Sequence, residues 1–563
     1  MFGRLAPWLI AACALLPYLA VRNYPHVHDD HLLRGPTSLA VDERVDWGTL
    51  LSGDFFGTFE QPTGNTAFWR PLVLATYRLE HQLAGESSAG FAWLGHVVTL
   101  LCHLAASLGL WRLVLALGLG PPSALLAAAL FALHPLHVES VAWISGRTDV
   151  LATALCWWGT AWWIERKGSW PAAVAAVLAF VAALLSKEPA LVLVGSAALL
   201  ARCQGMPWRR ALAAPALAIV ATLILRAGVF GLSPQISEAG YMGPESPAHR
   251  WWTWAAILPD MLRFTVWPDA ASPIHPVAAA TGWGSPGVLA GLAALLLVVA
   301  ASLWTWRRRE APLVLAATLT LGTLLVLAPW TRFAMGFDDV AGPLYDRYLY
   351  AMAAAPGLIL CTVLARWLQP GAWRSLLAVA LCAVTLGPAT ARRAQMWASG
   401  ESFSRAGLAV APGSANMWTQ LGSAQLEILR NLGEVQAGTA AVESFEQALA
   451  LDPQHRFAAL NRFITLAILR REPEARAAAE ALLAQRGTDP GVLHNVAGWH
   501  ASRGRFEAAA QLYERELMGG SALPGAMDAL NACVEALAAE RQAATDRSPN
   551  ANGEPLAPAV GGG

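Results

Sequence analysis

The feature that most constrains this 563-residue chain is a series of about eleven apolar runs, because a membrane-spanning helix needs about 20 mainly apolar residues. The runs lie near residues 4–21, 90–117, 121–140, 149–165, 170–186, 188–202, 211–230, 286–306, 311–330, 347–366 and 373–391. Only 14% of the residues are charged, against about 25% in soluble proteins. The sequence therefore predicts an all-α fold, a polytopic membrane helix bundle over residues 1–391.

The Lys and Arg residues of the short loops predict the orientation, because cytoplasmic loops are enriched in them. With the N-terminus inside, the inside loops carry Arg166, Lys167, Arg202, Arg209, Arg210, Arg307, Arg308, Arg309, Arg366 and Arg374. This arrangement leaves residues 22–89 and 231–285 as large outer loops and places the C-terminal region outside. Arg392 and Arg393 oppose it, and the run 251–267 is a rival span that would reverse everything after it.

Residues 392–540 have a different composition, with amphipathic helical pairs in place of apolar runs. Trp418, Leu421 and Gly422 fit the W-x2-L-G pattern of the TPR unit, which is 34 residues long. We therefore predict a C-terminal α-solenoid of TPR type with about three degenerate repeats. Residues 541–563 carry too little apolar surface to fold, and we predict a disordered tail.

Ionisable residues collect at the predicted outer ends of the spans, where such residues often mark a functional path. The clusters contain His28, Asp29 and Asp30; Arg70; His134, His137, Glu139, Arg147 and Asp149; Lys187 and Glu188; and Asp346 and Arg347. Each has a plain alternative: a solvated loop, a helix cap, an arginine reaching lipid headgroups, or a tight turn.

The adjacent carboxylates of Asp29 and Asp30 suit a general base, a metal site or the positioning of an acceptor. His134, His137 and Glu139 loosely suggest a metal, but their spacing matches no standard site, and Pro135 breaks the helical geometry. The sequence assigns no metal ligands and no cofactor, and a divalent metal stays an open alternative. Bases and phosphate-binding cations at a lipid boundary indicate transfer of a group from a lipid-linked phosphate to a water-side acceptor.

At these motifs the sequence resembles the transmembrane-and-TPR (TMTC-type) O-mannosyltransferases and their bacterial relatives, within the C-class glycosyltransferase fold. The resemblance rests on "HDDH", "WRPLVLATYRLEHQL", "GFAWLGHVVTLLCHLAASL", "FALHPLHVESVAWISGRTDVLA", "SKEPALVL", "RFTVWPDAASPIHP" and "YDRYLY", and on the order of the two parts. It implies an inverting transfer of mannose or another hexose from a polyprenyl-phosphate donor to a hydroxyl of a protein or glycan.

The resemblance also implies roles for single residues. Asp29 and Asp30 match the acidic pair of the first outer loop, and either could be the base; Glu139 matches the second acidic position. Arg70, Arg147, Lys187 and Arg347 match cationic positions, which we assign to the donor phosphate by charge. His28, His134, His137, Glu188 and Asp346 are further pocket candidates. Replacement of Asp29 or Asp30 by Asn is expected to leave the protein folded but nearly inactive.

Two other functions compete with the transferase. A non-enzymatic membrane scaffold would recruit partners through its TPR domain, but it has no need of paired carboxylates and cations at one face. A transporter would place its polar residues at mid-depth. For a transferase, the expected partners are membrane lipid, the lipid-linked donor and an acceptor guided by the TPR domain, with no nucleic acid. The Ala/Leu/Arg-rich composition predicts a bacterial inner membrane and a periplasmic TPR domain, or the ER membrane in a eukaryote.

Overall fold

Most of the described part of the chain is helical. The computed structural model describes residues 2–30, 32, 35, 38–58, 68–85, 87–230, 247–267, 272–275, 280, 282–328, 344–368, 372–520, 522, 523 and 525–547. Within these ranges the structure contains no strand, and the isolated bridges Ser38–Thr58 and His275–Leu344 are its β-type pairings. Much of the predicted outer loop 231–285 lies outside the described residues.

Two compact units divide the chain, Met1–Gln420 and Leu421–Gly563. The helices of the first unit are α1 (Phe2–Leu15), α2 (Trp47–Ser52), α3 (Pro71–Ala84), α4 (Ser88–Ala116), α5 (Pro121–Ala132), α6 (Val138–Ala142), α7 (Arg147–Glu165), α8 (Trp170–Leu184), α9 (Ala190–Cys203), α10 (Trp208–Phe230), α11 (Pro247–Val266), α12 (Pro286–Arg308), α13 (Ala311–Val326), α14 (Ala354–Val363), α15 (Ala365–Leu368), α16 (Ala372–Ala394) and α17 (Gly400–Val410). The next helix, α18 (Ala415–Leu432), runs across the division. The domain boundary predicted at 391/392 stays a prediction.

Every predicted apolar run contains part of an α-helix. By length and composition, four described helices can cross a membrane: Ser88–Ala116, Trp208–Val229, Pro286–Arg308 and Trp373–Trp397. The bent pair of α5 and α6 is also long and apolar enough to cross a membrane when it is counted as one span. Helices α8, α9 and α13 are apolar but shorter. The protein is therefore a multi-pass membrane protein, whereas the predicted total of about eleven spans is not established by helix length. The rival span α11 is not among the four, and it carries Arg250, Asp260 and Arg263.

A helix break lies between α5 and α6. Pro135 has no N–H to continue the helical ladder, and a single 3-10 turn over Pro135–His137 separates two helices that diverge by 47°. The His134 side chain caps this turn by accepting a hydrogen bond from the Leu136 amide. The break turns the short helix α6, with Glu139 in its first turn, into the interior of the unit.

A buried ion pair joins α3 to the membrane helices. The Arg147 guanidinium is fully buried; it pairs with Glu80 and also donates to the hydroxyls of Thr76 and Thr99 and to the Gly95 carbonyl. Beside this pair, apolar side chains of residues 39–55 pack with α3 in a cluster of their own that reaches Ile144. The pair therefore links α3 to α4 and α7.

The second unit consists of consecutive helices that pack on one another: α19 (Val435–Leu451), α20 (Arg456–Ile468), α21 (Glu472–Arg486), α22 (Pro490–Ala501), α23 (Phe506–Met518) and α24 (Ala526–Arg547). At Gly422 an added Cβ would lie 2.7 Å from the Phe445 ring, so glycine permits this close helix approach. The assignment to the TPR type stays a prediction. Helix α24 covers residues 541–547 of the predicted tail, and the remaining tail residues lie outside the described ones.

We expect Glu80→Gln to lower the free energy of unfolding by about 3–5 kcal/mol, because it leaves the buried Arg147 charge unpaired. The matched control is Glu165→Gln, which breaks the half-exposed pair with Arg112 and should cost about 0–1 kcal/mol. Thermal unfolding of the purified variants in one detergent measures both. Equal losses of stability would contradict a structural role for the Arg147–Glu80 pair.

Candidate functional site

The centre of the candidate site is a buried ion pair between Glu139 of α6 and Arg347. The Arg347 backbone amide donates to Glu139 Oε2 at 2.9 Å, and its guanidinium pairs with Glu139 Oε1. Arg347 lies in the 3-10 turn Asp346–Leu349, far from Glu139 in the sequence. Because one carboxylate binds both the backbone and the side chain of Arg347, it fixes the direction in which the arginine points.

Aromatic rings surround the Arg347 guanidinium. Its central carbon lies 3.9 Å from the ring centroid of Tyr345, 5.0 Å from that of Tyr348 and 5.1 Å from that of Trp143. Such contacts stabilise a cation without neutralising its charge. The Arg347 side chain keeps 17% of its surface exposed, whereas Glu139 keeps 2%. Arg347 is therefore the accessible partner of this pair, and Glu139 is the buried one.

A second ion pair lies beside the first. Lys187 of the turn before α9 pairs with Asp149 of α7, and its ammonium lies 5.9 Å from the Tyr348 ring. Lys187 and Arg347 line one groove, and Asp149 lines it beside Lys187. The other lining side chains are mostly apolar, among them Val192, Leu193, Val326 and Leu327. The groove thus combines two cations and one carboxylate with hydrocarbon walls.

The third cation, Arg70, precedes α3 and contacts the residue next to Lys187. Its Nη2 lies 3.2 Å from Glu188 Oε2, and its guanidinium rests on the Phe68 ring at 4.6 Å. Arg70 Nε and Glu188 Oε1 are buried without a hydrogen-bond partner within the described part of the chain. Both Arg70 and Arg347 act electrostatically on Lys187, so the three cations belong to one neighbourhood.

The two adjacent aspartates have different surroundings. Asp30 is 1% exposed, and its Oδ1 accepts hydrogen bonds from the Ser145 amide (2.9 Å) and the Ser145 hydroxyl (2.7 Å). Burial raises the pKa of Asp30 to about 6, while the hydrogen bonds from Ser145 oppose that rise. Asp29 keeps 39% of its side chain exposed, and its Oδ1 lies 3.6 Å from His28 Nε2. The structure therefore makes Asp29 the accessible carboxylate and Asp30 the anchored one.

Trp143 links the aspartates to the cationic groove. The His28 ring lies 5.7 Å from the Trp143 ring, which in turn contacts the Arg347 guanidinium. The Tyr345 hydroxyl is influenced electrostatically by Asp29, Glu139 and Arg347 together. Stretches of chain near residues 29, 139, 187 and 347 thus meet at one place.

Four predicted site residues make internal contacts and do not line the groove. Arg147 is fully buried with Glu80, which leaves it no surface for a donor phosphate. Asp346 is buried between His275, at 2.8 Å, and Arg393. The ring nitrogens of His134 and His137 contact the backbone carbonyls of Thr265 and Tyr350 at 3.1 Å each. The structure does not place these four side chains with the groove cations.

The described residues contain no group of three or more His, Cys, Asp or Glu side chains that could hold a metal ion. The Nε2 atom of each histidine contacts a backbone carbonyl, Nδ1 of His134 accepts from the Leu136 amide, and Glu139 is paired with Arg347. These three residues therefore form no shared ligand set.

The curated relatives of the chain are TMTC-type O-mannosyl-transferases. The Drosophila melanogaster protein O-mannosyl-transferase Tmtc1 is 32% identical over 191 residues, which cover 32% of this chain and 21% of that protein. Drosophila Tmtc2 is 36% identical over 146 residues, or 26% of this chain and 15% of that protein. Human TMTC2 is 31% identical over 150 residues, or 26% of this chain and 17% of that protein.

The resemblance stated from the sequence motifs is thus confirmed, over a part of the chain that spans about a fifth or less of these relatives. No protein-family model matches the chain. Among solved structures, ArnT from Cupriavidus metallidurans bound to undecaprenyl phosphate covers 85% of this chain and 79% of its own, at 17% identity and a TM-score of 0.36. A similarity of that size does not by itself establish a common fold.

Asp149, one of the ionisable residues singled out in the sequence, is the partner of Lys187. Two further contributors were not singled out: Ser145 holds Asp30, and Trp143 joins the two halves of the site. All three lie in the stretch "HPLHVESVAWISGRTDVLA", so their positions were within a recognised motif. Their partners could not be identified from this stretch, because each partner lies many residues away in the sequence.

The raised pKa of Asp30 predicts a pH dependence of stability. Between its ordinary value of 3.8 and about 6, the folded protein binds a proton that the unfolded chain has released, so stability falls as the pH rises through this window. We expect this loss to be about 1–3 kcal/mol and to be absent from Asp30→Asn. Between pH 4 and pH 7 the melting temperature of the wild type should therefore fall relative to that of the variant. A difference between the two proteins that does not change with pH would contradict the assignment.

Proposed function

We propose that the chain is a membrane glycosyltransferase that moves a sugar from a polyprenyl-phosphate donor to a hydroxyl acceptor. The observation that carries this proposal is the groove in which Lys187 and Arg347 lie against apolar walls, connected through Trp143 and His28 to the accessible carboxylate of Asp29. The names of the curated relatives support the class of reaction and the choice of mannose or another hexose.

The donor phosphate would bind at the cations of the groove. Lys187 and Arg347 are each paired with one carboxylate, and both still line the open space. An arginine fork and a lysine ammonium suit phosphate oxygens, and Arg70 stands close enough to add to their field. The apolar side chains of α9 and α13 would receive the first isoprene units of the lipid. Charge at one end and hydrocarbon at the other match the two parts of this donor.

The transfer itself needs a base on the acceptor side. The acceptor oxygen attacks the anomeric carbon of the sugar while the bond from that carbon to the phosphate oxygen breaks. Asp29 takes the acceptor proton, and the electron pair of the broken bond leaves with the polyprenyl phosphate. Attack from the face opposite the phosphate inverts the anomeric carbon. Lys187 and Arg347 stabilise the charge that develops on the phosphate, because preorganised cations in a low-dielectric groove need no reorganisation.

Asp30 has a positioning role in this scheme. Its buried carboxylate ties the loop of Asp29 to Ser145, at the start of the segment that leads into α7. Glu139 and Asp149 likewise orient the two cations and do not touch the acceptor. We place the reaction on the extracytoplasmic side, with a protein or glycan acceptor that the C-terminal helical unit guides.

Asp29→Asn should lower kcat about 10²- to 10⁴-fold, because the amide cannot accept the acceptor proton. Transfer from a radiolabelled polyprenyl-phosphate mannose to acceptor measures the loss in purified protein. Asp30→Asn keeps an oxygen for the Ser145 hydrogen bonds and should lose much less. The control is Asp260→Asn, an exposed carboxylate paired with Arg263. Full activity of Asp29→Asn would remove the assigned base.

The cationic groove is tested with the double variant Asp149→Asn/Lys187→Gln, because Lys187→Gln alone would leave a buried carboxylate unpaired. We expect kcat/KM for the donor to fall about 10- to 100-fold, the value of a hydrogen bond to a charged group. Initial rates over a range of donor concentrations measure it. The matched control is Arg112→Gln/Glu165→Gln, which neutralises a pair on the surface. Equal donor kinetics in the two double variants would contradict the phosphate site.

A further inference from the structure

The segment that follows the last membrane helix belongs to the candidate site. Composition assigns residues 395–410 to the repeat region, yet the 3-10 turn Gln395–Trp397 and helix α17 lie in the first compact unit. Trp397 and Phe403 are each 2% exposed and belong to the hydrophobic core that also contains α1 and α5. Ser399 closes the start of α17 with a capping box, which fixes the position of Phe403 one turn later.

Four rings from three distant stretches of chain meet there. His28 stacks on Phe403 with ring centroids 5.3 Å apart and an angle of 24° between the planes. Phe403 contacts Trp397 at 4.8 Å, Trp397 stacks on Trp143 at 6.1 Å, and Trp143 contacts His28 at 5.7 Å. The contacts form a closed circuit, so the position of each ring depends on the next.

His28 needs such support because its backbone is in the left-handed region, with φ +57°. A residue with a Cβ adopts this conformation at an energetic cost and keeps it only where its surroundings impose it. The next residue is Asp29, and the turn continues with the Asp30 amide donating to the Val27 carbonyl and the Leu32 amide donating to the Asp29 carbonyl. The conformation of His28 therefore determines where the Asp29 carboxylate points.

We propose that Phe403, backed by Trp397, is a positioning residue for Asp29: its ring holds His28 in the left-handed conformation. Phe403 is buried and does not reach an acceptor, so it acts only through His28. The catalytic consequence of this contact rests on the proposed function, whereas the conformational consequence does not.

The conformational test is hydrogen exchange of the amides of Asp30 and Leu32 in the full chain in detergent, followed by mass spectrometry. Phe403→Leu keeps an apolar side chain but loses the ring face. It should speed exchange about 3- to 10-fold, the value of one aromatic contact. Phe180→Leu, which removes a fully buried ring in α8, should leave this exchange unchanged. Equal exchange in Phe403→Leu and the wild type would overturn the proposal whether or not the chain is a transferase. If Phe403→Leu does not fold, Phe403→Met serves in its place.

The catalytic test is a double-mutant cycle with His28→Gly, because glycine adopts positive φ without support. Phe403→Leu and His28→Gly should each lower kcat about 3- to 10-fold with an unchanged donor KM. The double variant should be no slower than His28→Gly alone, since Phe403 acts through His28. Losses that multiply in the double variant would overturn the proposal. A wild type without transfer would instead refute the proposed function, and the exchange result would stand.

Discussion

The buried ion pair between Glu139 and Arg347 is the interaction on which the rest of the site depends. A single charge at this depth would be prohibitively costly, and only a close partner with further hydrogen bonds makes it tolerable. Glu139 meets that need by binding both the backbone and the side chain of Arg347. To reach it, the chain breaks the helix at Pro135 and brings the turn at Asp346 alongside. The kink at Pro135 thus brings Glu139 to Arg347, and the aromatic rings pack around the cationic partner of the pair.

Position relative to the groove distinguishes two kinds of buried ion pair. The pairs of Arg147 with Glu80 and of Asp346 with Arg393 and His275 line no part of it, and a ligand would have to break them to bind. Arg347 and Lys187 are paired as well, but both line the groove beside hydrocarbon, and Asp149 lines it together with Lys187. In the Glu139–Arg347 pair the anion is inside and the cation is at the groove, so this pair is stable without a ligand and its cation stays available to the proposed donor phosphate. One interaction thus serves both folding and the proposed donor binding.

Much of the fold could be predicted from the sequence, since every apolar run contains part of a helix and the clusters near residues 29, 139, 187 and 347 do converge. The local pattern could not distinguish Arg147 from Arg347, because both are arginines at a span end within a recognised motif. Their partners decide, and Glu139 lies some two hundred residues before Arg347. Asp29 and Asp30 were equally indistinguishable, because the choice depends on Ser145, which only tertiary packing brings to one of them.

The same reasoning applies to domain boundaries drawn from composition. Residues 395–410 are amphipathic and read as the start of the repeat region, since hydropathy records how much apolar surface a segment has and not what covers it. In the structure, Trp397 and Phe403 cover the core of the first unit, and the stack on His28 connects them to the accessible carboxylate. The two compact units divide later in the chain, within α18. Helix α17 therefore packs with the first unit, although its composition resembles that of the predicted repeat region.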